Sequence, residues 1–455
     1  MAISTAKGLP RLVIALVVAG CAWVDLDLKL WQLRDRVIEW DAHSYYAYLP
    51  AQLIYDDIRL IKSDYRFDED YFLFWPSSAE NGGRVIKTTM GVAVCYAPFF
   101  LLGHLYASLS AYPADGWSPP YKIALLIGAL FYLAMGLELT RHLLARCGFR
   151  ATTTAITLAL IGSGTNLFCY ASQSATSSHV YSFFLVAWSM NLVLSWYERP
   201  SFRRAAGLGA LLGLVSLVRP TNVLLWCVFA LYGIVGYKTF MSRLIFLFRR
   251  WAQLLVMAIA AFIVWVPQLM YWKTITGAYF YNSYIGEHFF FTSPHILEGM
   301  FGFRKGWLIY TPIMAFALAG LGLLRDRAAS LRWGLIVLMV LSIYVTFSWW
   351  CWWYGGTFGQ RAMIDLYPLL AIPLAAFVDR VLQGRLWVRI VATGAGSFLV
   401  WLNIFQTLQF EEGSLHYDAM TFRCYVKQFG RMEKVEDFEQ LLDHPDYDRA
   451  RQTGQ

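Results

Sequence analysis

The chain has 455 residues, 58% of them hydrophobic, 17% aromatic and only 15% charged, with a mean hydropathy of +0.46. Most of that surface cannot face water, which excludes a soluble globular enzyme and implies an integral membrane protein. The net charge of +8 is not a nucleic-acid footprint, because Lys and Arg of membrane proteins collect in cytoplasmic loops.

Several runs reach the roughly 20 apolar residues that cross a hydrocarbon core of about 30 Å, and the short alternating strands of a barrel are absent, so the expected class is an all-α polytopic membrane protein. The seven Cys have no paired spacing, and Cys21, Cys95, Cys169 and Cys227 sit in apolar runs as reduced packing residues. Neither a disulfide framework nor a thiolate metal site is indicated.

Lys7 and Arg11 ahead of Leu12 to Val24 have the form of a signal peptide, but Trp23, Asp25 and Asp27 stand where a small-residue cleavage site belongs. The segment is expected to be a retained first span. The expected spans are 10–33, 121–141, 152–171, 176–197, 204–218, 221–237, 251–271, 306–324, 332–349, 361–379 and 387–408, about eleven in all. Met90 to Leu109 is the ambiguous piece. With it kept on the outer side as a juxtamembrane helix, the basic connectors fall together in the cytoplasm: Arg141/Arg146/Arg150, Arg199/Arg203/Arg204, Lys238/Arg243/Arg249/Arg250, Arg325/Arg327/Arg332 and Arg380/Arg385/Arg389. The outer connectors Ser172–Ala175, Arg219–Asn222 and Trp350–Gln360 then carry almost no Lys or Arg. The expected organisation is a transmembrane domain over 1–408, with outer loops 34–120 and 272–305, and an extracytoplasmic tail 409–455 in which Asp437 to Leu442 form a short helix.

The polar candidates converge on the outer face. Glu39-Trp40-Asp41-Ala42-His43-Ser44-Tyr45-Tyr46-Ala47-Tyr48-Leu49-Pro50 puts acids and aromatics where a span meets water, a costly arrangement unless it binds or reacts. Asp41 reads as a catalytic base, with Glu39 as the second candidate and helix N-capping as the plain alternative. Tyr45 and Tyr46 are candidate substrate contacts. Lys87, opening Lys87-Thr88-Thr89-Met90-Gly91, stands at interfacial height where a cation meets a lipid phosphate or merely snorkels. Arg304 and Lys305 sit on the outer side against the charge trend, and a pair of cations there wants an anion.

Arg361 follows the glycine-rich Tyr354-Gly355-Gly356-Thr357-Phe358-Gly359-Gln360 and a cluster of Trp349, Trp350, Trp352 and Trp353. The tryptophans suit an interfacial belt, but glycines let backbone approach a ligand and aromatic faces stack on sugars, so Trp353 and Tyr354 are candidate ligand contacts. Arg219, in Arg219-Pro220-Thr221-Asn222, binds phosphate or satisfies helix carbonyls. His179 opens the fourth span as a ligand contact or a structural residue, and Asn166 is similar. Asp25 and Asp27 would line the same cavity or pair with Lys29. Asp56, Asp57 and Glu80 offer oxygen ligands beside Asp41, yet nothing in their spacing requires a metal, and no cofactor is expected. There is no Walker A loop, dinucleotide fingerprint, nucleophile elbow or zinc helix, so an activated donor delivered in lipid is favoured over a cytosolic nucleotide.

Asp41 opening the first outer loop, the Lys87-Thr88-Thr89-Met90-Gly91 segment, the large loop after the seventh span, and Gly359-Gln360-Arg361 followed by Pro368 resemble the C-type glycosyltransferase superfamily (GT-C fold), which includes aminoarabinose and protein O-mannosyltransferases. Tyr45–Ala51 is similar to a segment of an uncharacterised bacterial branch. The resemblance implies a polyprenyl-phosphate sugar as donor, an acceptor on the extracytoplasmic face of a bacterial inner membrane, Asp41 as base, and Lys87, Arg304 and Arg361 as phosphate contacts. Thr88-Thr89 replaces the Pro-Pro usual after that lysine. A flippase for a lipid-linked sugar, a ligase or polymerase of lipid-linked glycans, and a non-catalytic receptor are the competing readings; a transporter tends to show repeats and broken helices near the bilayer midplane, whereas the polar residues here cluster at one face. Reporter fusions after Gly116 and at Gln455 are expected to be extracytoplasmic at both points. Cytoplasmic-type activity at either would overturn the eleven-span topology.

Overall fold

The structure, a computed structural model, describes residues 2–61, 76–79 and 82–454. Glu80 and most of the acidic stretch between Asp56 and Arg84 lie outside the described residues. The protein is an all-α polytopic membrane protein, in which the described β-structure amounts to a two-residue ladder, Ser77–Ser78 against Arg84–Val85, and an isolated bridge between Phe289 and Trp349.

In chain order the helices are α1 (Ala2–Leu28), α2 (Trp40–Tyr46), α3 (Tyr48–Leu53), α4 (Gly91–Ser108), α5 (Pro119–Arg146), α6 (Ala151–Ser163), α7 (Leu167–Tyr170), α8 (Ser178–Glu198), α9 (Phe202–Val218), α10 (Trp226–Leu231), α11 (Tyr237–Phe248) and α12 (Trp251–Thr276). They continue as α13 (Ile296–Phe301), α14 (Trp307–Tyr310), α15 (Ile313–Gly320), α16 (Asp326–Ala329), α17 (Arg332–Phe347), α18 (Tyr367–Leu382), α19 (Leu386–Glu411), α20 (Phe422–Gln428) and α21 (Tyr447–Thr453). Single 3-10 turns, Pro220–Leu225 and Arg361–Leu366, lead into α10 and α18.

Side-chain contacts fix the direction of each pass. Arg11 at the start of α1 meets Glu138 far along α5, whereas Lys122 at the start of α5 donates to the Leu33 and Arg34 carbonyls just beyond α1, so the two helices are antiparallel. Parallel to α5 runs α8: Phe183 covers Gly136, and Asn191 donates to the Leu139 carbonyl. Gln253 beside Trp196 starts α12 at the far end, and Gln268 bonding the Met90 amide finishes it at the near one. Arg150 with Asp379, and Arg36 with Glu411, orient α18 and α19 in the same manner. Eleven passes result among the described residues: α1, α5, α6, α8, α9, α10 with its 3-10 turn, α12, α14–α15, α17, α18 and α19. Their basic connectors gather at one end of the bundle, and α2, α4 and the C-terminal segment gather at the other.

Seven described helices are long and apolar enough to cross a membrane, and Gly91–Ser108, expected as a juxtamembrane helix, is one of them. Its place in the fold is that of a hairpin partner. The Tyr132 hydroxyl donates to the Cys95 carbonyl (3.0 Å), Phe99 lies on Gly128, and Gly103 lies on Pro120, so α4 runs antiparallel along only the first half of α5. It starts where α9 ends, with Gly91 against the Val218 backbone.

The centre is α18 and α8, buried along most of their length, while α12 and α19 expose long apolar faces suited to lipid. α11, with no buried residue, carries Phe240, Leu244 and Ile245 beside Lys238 and Arg243 at the basic end, the pattern of an interfacial helix. The tightest helix pair is α9 on α12, where a side chain at Gly209 would drive into the Met257 carbonyl. Without a hydrophobic drive between helices in lipid, small residues that let backbones touch do the packing. Gly209→Val is expected to destabilise the protein by about 1–3 kcal/mol, through overpacking, in a detergent unfolding assay. An unchanged midpoint would show that α9 and α12 separate freely.

Candidate functional site

The site forms where α2, the 3-10 turn before α18, and the starts of α8 and α10 meet. Trp40 adopts φ 50°, a left-handed conformation unfavourable for a non-glycine residue, and so aims the first turn of α2. Asp41 lies inside that turn rather than at its cap; Glu39 is the N-cap residue and makes no side-chain cap bond. The Asp41 Oδ2 atom stands 2.8 Å from an Arg361 guanidinium nitrogen, a pair that stays reachable by solvent, with 40% and 20% of the two side chains exposed. Arg361 is delivered by the turn Tyr354–Gln360, which passes through left-handed conformations at Tyr354, Gly355 and Gly359. At Gly359 even a Cβ would press on Tyr310 at 3.0 Å, so the close approach requires glycine.

One helical turn after Asp41, Tyr45 faces the same way and lies close to Ser178 at the start of α8. Lys87 pairs with Glu287 and lies 5.1 Å from the centre of the Tyr284 ring. The other Glu287 oxygen accepts from the Trp350 indole at 3.1 Å. Behind this front row lies a buried polar knot: Arg219 donates to His179 Nδ1 (3.1 Å) and stands 3.5 Å from Asp365, whose same oxygen accepts from Asn222 at 2.9 Å. Because Nδ1 accepts from Arg219, its 3.4 Å contact with Asp365 is not a donated hydrogen bond.

Burial alone would raise the Asp41 carboxyl, but Arg361 first and then Lys87 outweigh it, holding Asp41 below the ordinary carboxylate range and ionised at neutral pH. Burial, and then the Asp41 charge, push the Tyr45 hydroxyl up. Lys305 is 2% exposed, and burial lowers it to about 7, with Arg361 adding and Asp418 opposing. The surroundings can therefore hold an anion beside an ionised, partly exposed carboxylate, with Tyr45 and Tyr284 close by.

Of the residues singled out from the sequence, Asp41, Tyr45, Lys87, His179, Arg219, Tyr354 and Arg361 come together. The others do not. Glu39 lies by Arg36 (3.4 Å), which also binds Glu411. Tyr46 is wholly buried, its hydroxyl on the Gly116 carbonyl, so it is a core residue rather than a substrate contact. Arg304 donates to the Asp418 carbonyl (2.7 Å) and to Asp443 (2.8 Å), which ties it to the C-terminal segment away from Asp41. Trp353 likewise packs on Tyr447. Asn166 accepts from Tyr367 in the interior, Asp25 is buried away from the cluster beside Cys21, and Asp27 is exposed. Asp365, Glu287, Tyr284 and Asn222 were missed. Asp365 carried a readable signal, an acid inside an apolar span. Elsewhere, a cleft of about 410 Å³ at the basic end, lined by Tyr197, Tyr232 and Arg243, is capped by the Arg243 guanidinium 4.2 Å above the Tyr197 ring.

No protein-family model matches the chain, and no curated protein matches it. Among solved structures it is similar to the crystal structure of the apo Archaeoglobus fulgidus oligosaccharyltransferase, with a TM-score of 0.47 and 13% identity over 95% of this chain and 59% of that one. The chain thus spans less than two thirds of that protein's length. A likeness of this order assigns neither a family nor an activity.

Lys305 offers a pH test. The unfolded chain holds its proton up to the ordinary 10.5, the folded one only to about 7, so the folded state is penalised below pH 7 and relieved as pH rises from 7 to 10.5. Lys305→Met is expected to be more stable than the parent at pH 7, with an advantage that shrinks across that window in detergent thermal unfolding. A difference independent of pH would mean Lys305 is not held neutral.

Proposed function

We propose that the protein is a membrane glycosyltransferase that moves a sugar from a polyprenyl-phosphate donor to an acceptor hydroxyl or amide by single displacement. The observation that carries the reading is the ionised, solvent-reachable Asp41 carboxylate in contact with Arg361, with Lys87 and Arg219 in the same electrostatic neighbourhood. A carboxylate supplies a base, and clustered cations supply a seat for a phosphate leaving group.

In the resting protein Arg361 neutralises Asp41. A phosphate entering beside Arg361 competes for the guanidinium, and its negative charge raises the proton affinity of Asp41 at the moment a base is needed. The acceptor then attacks the anomeric carbon, its proton passes to Asp41, and the carbon–oxygen bond to phosphate breaks with the electron pair leaving on the phosphate. Arg361, helped by Lys87 and Arg219, balances that developing charge. Tyr45, Tyr284 and Tyr354 furnish aromatic walls for the sugar or the first isoprenoid units. One carboxylate and no covalent intermediate imply inversion at the anomeric centre, since a retaining scheme needs a second carboxylate as nucleophile. Asp365 is withdrawn into the knot with Arg219 and Asn222, which suits it to holding Arg219 rather than to attack. The basic connectors lie at the opposite end of the bundle, which supports an extracytoplasmic site on a bacterial inner membrane.

The test is transfer in proteoliposomes from labelled polyprenyl-phosphate sugars. Asp41→Asn preserves shape and is expected to lower transfer by about 10²–10⁴-fold while donor binding persists. Arg361→Ala is expected to weaken donor binding roughly tenfold to a hundredfold. Near-parental transfer by Asp41→Asn would remove the base from the scheme, and unchanged donor affinity in Arg361→Ala would remove the phosphate contact.

A further inference from the structure

We infer that His416, Asp418 and His444 form a site for a divalent transition cation of the zinc class, which ties the C-terminal segment over the turn that delivers Arg361. The three residues each offer a ligand atom, all within 4.8 Å of one another. The two imidazole rings meet edge to face at 5.1 Å between centroids. Asp418 is only 3% exposed, yet its Oδ1 has no hydrogen-bond partner, although it lies 3.4 Å from His416 Nδ1. A buried carboxylate oxygen left unsatisfied is costly, and here it faces a nitrogen that itself accepts from the Asp418 and Ala419 amides at 3.3 and 3.1 Å. Two electron-rich atoms pointing at one another in a buried spot are reconciled by a cation between them.

The surroundings are built to orient such a site. The second Asp418 oxygen is held by the Tyr447 hydroxyl at 2.6 Å, which turns Oδ1 toward the histidines. Arg304 stands nearby with its charge taken up by Asp443. Two imidazoles and one carboxylate are the donor set of a zinc-class ion with an open fourth position. Tetrahedral binding at about 2.1 Å would bring the donor atoms to about 3.4 Å of one another, a contraction that the exposed His444 can supply. His416 Nδ1 would exchange its two long amide contacts for the metal.

The site lies against the turn that delivers Arg361. Between His416 and Asp418, Tyr417 offers its carbonyl to the Thr357 amide (3.2 Å), and its ring covers Gly356. A metal joining 416–418 to 444 therefore fixes the cover of the Gly355–Gly359 turn, and the proposal stands whatever reaction the Asp41 cluster performs.

The experiment is zinc content by elemental analysis of the tag-free full chain after zinc loading and desalting, together with thermal unfolding with and without chelator. The parent is expected to retain about one zinc more per chain than His444→Ala, an exposed substitution that leaves the core intact, and to lose stability on chelation where the variant does not. Tyr447→Phe, which removes only the orienting hydroxyl, is expected to weaken zinc binding about tenfold. Equal zinc content in parent and His444→Ala, or no zinc retained by the parent, would overturn the proposal.

Discussion

A charge at the end of an apolar helix bundle is stable only beside its counter-charge, and that constraint arranges this molecule. Asp41 reaches Arg361, Lys87 reaches Glu287, and Arg219 reaches Asp365 with His179 and Asn222 filling the remaining positions. Each pair joins segments far apart in the chain, so satisfying the charges amounts to assembling the bundle end. Removing one partner of a buried pair would leave the other uncompensated, at several kcal/mol. The front pair differs from the back one in exposure: Asp41 and Arg361 remain partly open, whereas Asp365 is 2% exposed. The open pair is free to exchange partners with a ligand, and the closed pair holds its neighbours still.

The glycine-rich turn before Arg361 is the hinge of this arrangement. Left-handed backbone at Tyr354, Gly355 and Gly359 folds the chain tightly enough to place a guanidinium against α2, and the C-terminal segment closes over it through Tyr417. Left-handed backbone at Trp40, beside Asp41, and at Tyr354, in the turn before Arg361, brackets the pair from its two segments.

Much of the fold was legible because hydropathy and charge bias are averages over many residues. Eleven passes and the shared end for the basic connectors follow from such averages. The hairpin of α4 was harder: its length and apolarity match a span, and only contacts with half of α5 distinguish it. At the site, single residues decide. Asp41 and Arg361 were visible as separate candidates, but their pairing was not, since nothing local to residue 41 refers to residue 361. Tyr45 and Tyr46 were read together although a helix separates neighbours by about 100°, which sends one toward Asp41 and the other into the core. Arg304 looked unpaired because its partners, Asp418 and Asp443, come from a tail whose docking no periodicity announces. Asp365 was hidden by the averaging that revealed its span.

The long reach of the ion pairs also orders the protein's synthesis. Asp41 emerges 320 residues before Arg361 (361 minus 41), and Lys87 emerges 200 residues before Glu287. Through insertion of most of the bundle, these early side chains stand at a membrane boundary without their partners, served only by water or lipid headgroups. Completion of the tenth pass is thus the event that lets the first loop settle, and a ribosome halted before it would leave a nascent chain whose helices are inserted but whose outer end is still unlocked.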